Sequence, residues 1–107
     1  MKIIKFLLTI LFIFTINNQN LLADDAKLAK GLEIFNETAG CAACHAMKAA
    51  GAKGNIGPNL DTVDLTEDLV KEMVTYGLGV MPAYGEGILT KEEIDIVSFY
   101  VANSVGK

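Results

Sequence analysis

Cys41-Ala42-Ala43-Cys44-His45 decides how this chain is read, because these five residues hold both cysteines and the only histidine of the 107-residue sequence. Cysteines three apart stand on the same side of a helical turn, so two sulfurs can reach one edge of a flat ligand while the next side chain points beneath it. C-x-x-C-H is the attachment pattern for c-type haem: each sulfur forms a thioether at a vinyl group, and the imidazole is delivered to the iron. Three other uses of these residues fit less well. A structural zinc site takes four protein ligands, commonly in two separated pairs, and two cysteines with one histidine fall short. A thioredoxin-like pair opens a helix in a βαβ unit, and the flanks here show little strand alternation. A plain disulfide leaves His45 without a role.

On the N-terminal side, Met1 to Ile16 carries Lys2 and Lys5 and then an apolar run, Phe6 to Ile16, broken only by Thr9 and Thr15. Polar Asn17 to Asn20 follow, and Ala23 precedes Asp24. Charged, apolar and polar segments in that order predict a secretory signal peptide over residues 1–23, followed by one domain over 24–107. The apolar run is shorter than the roughly 20 residues of a spanning helix, so cleavage is preferred to retention as an N-terminal anchor. Leu21, third before the cut, is not the small residue favoured there, and the export signal is clearer than the cleavage point. Export suits the motif. Haem c is attached after translocation, and an oxidising periplasm does not conflict with two cysteines committed to thioethers.

Without the leader the chain has seven lysines against thirteen acids, a net of −6, because Lys2 and Lys5 leave and every acid stays. That balance excludes a nucleic-acid partner, which needs a basic footprint. Asp24 and Asp25 open a helix to about Thr38, with Leu28, Leu32 and Phe35 on one face and Gly31 beside them to allow close approach of another helix; Gly40 ends it. Ala46 to Gly57 reads as a short helical turn and then a loop, with Lys48 and Lys53 in it. Gly57-Pro58-Asn59-Leu60 closes that loop. Pro58 is either a turn residue or a rigid carbonyl acceptor for the His45 N–H.

A second helix is predicted from Leu65 to Gly77, capped by Thr66, with Leu69, Val70, Met73 and Val74 as its buried face. Val80-Met81-Pro82-Ala83-Tyr84 is an apolar run in a non-helical setting, suited to lining a cofactor. Thr90 and Glu93 make a capping box, with Leu89 and Ile94 as its hydrophobic staple. Ile94, Val97, Tyr100 and Val101 form the apolar face of the last helix.

With these motifs in place, the chain resembles the small class I cytochromes c, in particular the short soluble carriers of bacteria and photosynthetic organisms and the related haem domains attached to oxidases. The resemblance runs through Gly31-x-x-x-Phe35, CAACH, GPNL, VMPAY and the terminal FYV. It implies an all-α fold, three main helices plus loops wrapped around one covalently attached haem, with Gly31, Phe35, Val97 and Tyr100 at the crossing of the first and last helices. It also implies Cys41 and Cys44 as the covalent attachments and His45 and Met81 as axial iron ligands. Among the other methionines, Met47 is too close to His45 to reach the opposite face, and Met73 reads as a flexible gap filler on a helical stripe. The lack of tryptophan and the short segment between Pro58 and Met81 argue against the longer mitochondrial type.

The function implied is one-electron transfer in the periplasm, with no catalytic residues, between redox proteins such as membrane respiratory or photosynthetic complexes. Two other readings remain: a haem c subunit or tethered domain of a larger oxidoreductase, and an open-site haem enzyme or gas sensor. At the exposed haem edge, the alanines around the motif can supply an apolar contact and Lys48 and Lys53 a positive rim; ordinary solvated loop charge is the competing reading of the lysines. The motif makes a direct chemical prediction. Denatured protein is expected to keep its haem through acid-acetone extraction, and Cys41→Ala with Cys44→Ala to yield no stable holoprotein; free haem in the supernatant would refute the covalent attachment.

Overall fold

The computed structural model describes residues 22–107. The expected leader lies outside the described residues but for its last two. Residues 22–33 are α-helical and run into a π-helical turn, Ile34–Thr38, closed by Ala39 N–H donating to Ile34 O at 2.8 Å; together they are α1. Next come a 3-10 turn at Cys41–Ala43 and a small antiparallel hairpin, β1 (Ala46–Met47) and β2 (Ala52–Lys53), around a 3-10 turn at Lys48–Ala50. Helices α2 (Glu67–Tyr76) and α3 (Lys91–Ser104) complete the fold. Among the described residues no helix is long and apolar enough to cross a membrane.

The ends of the helices follow local chemistry. The Thr66 hydroxyl accepts from Leu69 N–H at α2, and α3 carries the complete capping box: Glu93 N–H donates to Thr90 Oγ1, and Thr90 N–H donates to Glu93 Oε1, each at 3.1 Å. A cap of this kind contributes about 1 kcal/mol. The staple residues Leu89 and Ile94 are both buried.

Helices α1 and α3 cross where Gly31 meets Tyr100. A Cβ on Gly31 would stand 2.2 Å from Tyr100 Cβ and 3.2 Å from Ile96 O, so only glycine admits this approach. Phe35 and Tyr100 pack edge to face with centroids 6.1 Å apart, Val97 is fully buried between the helices, and Lys27 Nζ lies 4.2 Å from the centre of the Phe99 ring. Lys71 pairs with Asp95 at 3.0 Å across α2 and α3.

Three expectations change. Ile34 is fully buried, whereas Leu32 is 36 % exposed. The crossing at Gly31 sets the centre of the buried face, and at 100° per residue Leu32 falls at its edge. Leu69 is likewise 40 % exposed, because it stands at the cavity mouth, whereas Val70 and Val74, which line the same cavity, are buried. The segment after His45 holds its helical turn inside a hairpin whose strands are too short to show alternation; Met47 and Ala52 pair across it and point inward. Gly31→Ala is expected to destabilise the protein by about 1–3 kcal/mol through overpacking, read as a lower denaturation midpoint, while Leu32→Ala costs less than Ile34→Ala.

Candidate functional site

A cavity of about 420 Å³ opens between the Cys41–Ala43 turn, α2, α3 and the loop after α2. Among the described residues no charged side chain lines it. Its walls are aliphatic and aromatic, and its heteroatoms belong to Cys41, Cys44, His45, Met73, Met81 and Tyr84. A flat apolar ligand with a metal at its centre meets all its needs there: apolar walls, two thiols for covalent attachment, and nitrogen and thioether donors for a metal. Among the described residues no group of three or more His, Cys, Asp or Glu side chains could hold a metal ion by itself, which leaves zinc without a cage.

Local backbone bonds set the cysteine wall. Cys44 N–H and His45 N–H both donate to Cys41 O, at 3.1 and 2.9 Å, winding the motif into one turn with both sulfurs toward the cavity. Both cysteines are free. Before haem is attached, burial pushes the Cys41 thiol up to about 11, with a smaller contribution from neighbouring Cys44, so the unreacted thiol is protonated at neutral pH. A reactive redox cysteine needs the opposite shift.

His45 is held by a strap of backbone. Its Nδ1 lies 2.7 Å from Pro58 O, and since a carbonyl can only accept, Nδ1 carries the proton and Nε2 remains the basic nitrogen. Gly57 presses on the same ring: a Cβ there would stand 2.4 Å from His45 Cε1. Gly57 N–H also donates to Cys44 O at 2.7 Å, tying the strap to the motif. Beyond it, the Asp61 carboxylate accepts from Lys48 N–H and Gly106 N–H, each at 2.8 Å, and joins hairpin, strap and the end of α3. Those two donors hold its pKa below the usual 3.8.

The loop carrying Met81 also lines the cavity. Met81 N–H donates to Leu78 O at 3.0 Å and Leu78 N–H to Met81 O at 3.2 Å, making a tight turn. Tyr84 N–H donates to Val74 O at 2.9 Å, and the Tyr84 hydroxyl to Ala39 O at 3.3 Å, so the loop is fastened both to α2 and to the end of α1. Cys41, Cys44, His45, Pro58 and Met81 thus line one cavity, and Met73 joins them from α2; Met47 is fully buried in the hairpin and does not. Lys48, Lys53 and the alanines around the motif do not line it either. The sequence reading missed Asp61 and the hydroxyl bond of Tyr84. Asn59 two residues before Asp61 is a turn signal, realised as Asp61 N–H donating to Asn59 Oδ1 at 3.0 Å, but nothing local announces the bond to Gly106.

The family described as cytochrome c oxidase, cbb3-type, subunit III matches residues 26–101. The chain belongs to this cytochrome c family. The crystal structure of the c-type cytochrome SorU from Sinorhizobium meliloti is similar at 46 % identity, with a TM-score of 0.72 over 78 % of this chain and 95 % of that one. No curated protein matches. The cytochrome carries a covalently bound haem c, and electron transfer through that haem is its activity.

Asp61 supplies a pH test of the strap. Its carboxylate is favoured in the folded protein, so its stabilisation is present above about pH 3.8 and is lost as pH falls through the lower folded value. Thermal unfolding of the holoprotein followed from about pH 5 downward is expected to show a steeper loss for wild type than for Asp61→Asn; parallel curves would remove Asp61 from the account.

Proposed function

We propose that this cytochrome is an exported, periplasmic one-electron carrier whose haem is held through thioethers at Cys41 and Cys44 and ligated axially by His45 and Met81. The observation that carries the reading is the meeting, in one apolar cavity, of a histidine with a fixed tautomer and a methionine on a loop that Tyr84 fastens to α2 and to the end of α1. When bound, the haem supplies a single iron that alternates between ferrous and ferric. The residues do the rest. Pro58 O keeps the proton on Nδ1 and raises the basicity of Nε2. A thioether opposite an imidazole favours the ferrous state and raises the potential, and the uncharged walls act in the same direction. Held by both His45 and Met81, the iron would have no place for substrate, and transfer would be outer-sphere, at the haem edge.

The leader pattern over residues 1–23 supports export. The partners are redox proteins, among them membrane respiratory complexes. A second reading has support of its own: the matching family is described as an oxidase subunit, which favours a haem c subunit of a larger oxidoreductase. Coverage of 95 % of SorU, described as a c-type cytochrome, favours the free carrier. Co-purification with a membrane complex separates the two.

Met81 and Met73 both line the cavity, so the ligand assignment has a sharp test. Met81→Ala is expected to lower the reduction potential, abolish the sulfur-to-iron charge-transfer absorption of the ferric protein and admit carbon monoxide to the ferrous protein. Met73→Leu is expected to keep all three wild-type properties and to cost under about 1.5 kcal/mol. The reverse pattern assigns the ligand to Met73. Avid carbon monoxide binding by the wild type replaces the carrier reading with an open-site enzyme or sensor.

A further inference from the structure

We propose that the mouth of the haem cavity is the docking face for a redox protein presenting basic side chains around an apolar contact, and that Asp64, Asp68 and Glu72 select it. This rests on the electron-carrier reading and adds the chemistry of the partner. Residues that both line the cavity and reach solvent mark the mouth: Ile56, Val63, Leu69, Leu78 and Val80. Val80 is 90 % exposed and Leu78 70 %, so most of each side chain turns outward although one side meets the cavity. Tyr76, at the end of α2, is 75 % exposed beside them. At 100° per residue, Leu69 and Tyr76 share one line along α2, and Asp68 and Glu72, a turn apart, lie on the solvent flank of that line. Asp64 directly follows Val63. An exposed apolar patch rimmed by charge marks an interaction site.

The sign of the rim follows from where the lysines are placed. The stretch 54–90 supplies every mouth residue named above, and it contains six acids and a single lysine, Lys71. Lys71 faces the other side of α2 and pairs with Asp95. Lys27 lies against Phe99 and Lys30 against Glu33, both on α1. Lys48 and Lys53 stand on the hairpin, away from the cavity lining. Asp64, Asp68 and Glu72, beside the mouth residues, give this side of the mouth a negative rim, which attracts a basic surface and repels a second copy of the chain. This differs from the positive rim that Lys48 and Lys53 suggest in the sequence, and the two are set against each other in the test below.

The test uses the holoprotein at gold electrodes coated with amine-terminated or carboxylate-terminated alkanethiol layers. Fast, reversible electron transfer is expected on the amine layer at low ionic strength, weakening with salt, and little on the carboxylate layer. Combined Asp64→Asn, Asp68→Asn and Glu72→Gln is expected to slow transfer on the amine layer by about tenfold or more. A control with the same charge change elsewhere, Asp25→Asn, Glu37→Gln and Glu92→Gln, is expected to keep the wild-type rate. Equal slowing in both triples, or a carboxylate preference lost in Lys48→Glu with Lys53→Glu, overturns the inference. A holoprotein dimer in sedimentation, dissociated by Val80→Ser, assigns the face to a second copy and also overturns it. Mediated titration in solution separates the two levels: a protein that cycles reversibly there but ignores the rim substitutions refutes only the docking face, and one that does not cycle refutes the carrier.

Discussion

The approach of the Gly31 backbone to the Tyr100 side chain is the contact on which the rest of the structure depends. With no Cβ at 31, α1 crosses α3 closely enough for Phe35 and Tyr100 to meet edge to face and for Val97 to be sealed between the helices. That crossing fixes where α1 ends. Its π-helical turn and Gly40 then deliver Cys41 and Cys44 to one wall of the cavity, while Val97 and Val101 of α3 form another. Tyr84 bonds to Ala39, so the Met81 loop takes its position from the same helix end.

The histidine side is governed by backbone rather than by side chains. Gly57 packs against the ring, Pro58 O accepts the hydrogen bond from its Nδ1–H, and Gly57 N–H closes back on Cys44. A ring held by carbonyl and glycine has little freedom to turn. Asp61 extends this restraint to Gly106, more than forty residues away in sequence. A carboxylate receiving two backbone N–H groups is a compact way to join three separate segments.

Charge is divided between faces. Lysines on α1 lie against Phe99 and Glu33, and Lys71 closes the seam between α2 and α3, whereas the acids of stretch 54–90 include the rim around the cavity mouth. The interior wall remains uncharged. A protein of this kind can tune its redox centre through apolar walls and ligands while using the rim for recognition, because exposed charges are screened by water far more than buried ones.

The sequence by itself determined the elements whose causes are local. CAACH names its chemistry within five residues, Thr66 caps α2, Thr90 and Glu93 box the start of α3, and the stripe Ile94, Val97, Tyr100, Val101 is buried as its period requires. Gly31 and Phe35 were legible as a crossing because a glycine within a helical stripe has few other uses. Only the tertiary structure decided that Ile34 replaces Leu32 in the core, that Leu69 belongs to a cavity mouth, that Asp61 bonds to Gly106, and that Lys48 and Lys53 stand apart from the cavity lining. Each of these depends on what lies across from a residue in space, and periodicity along one segment carries no information about the segment opposite.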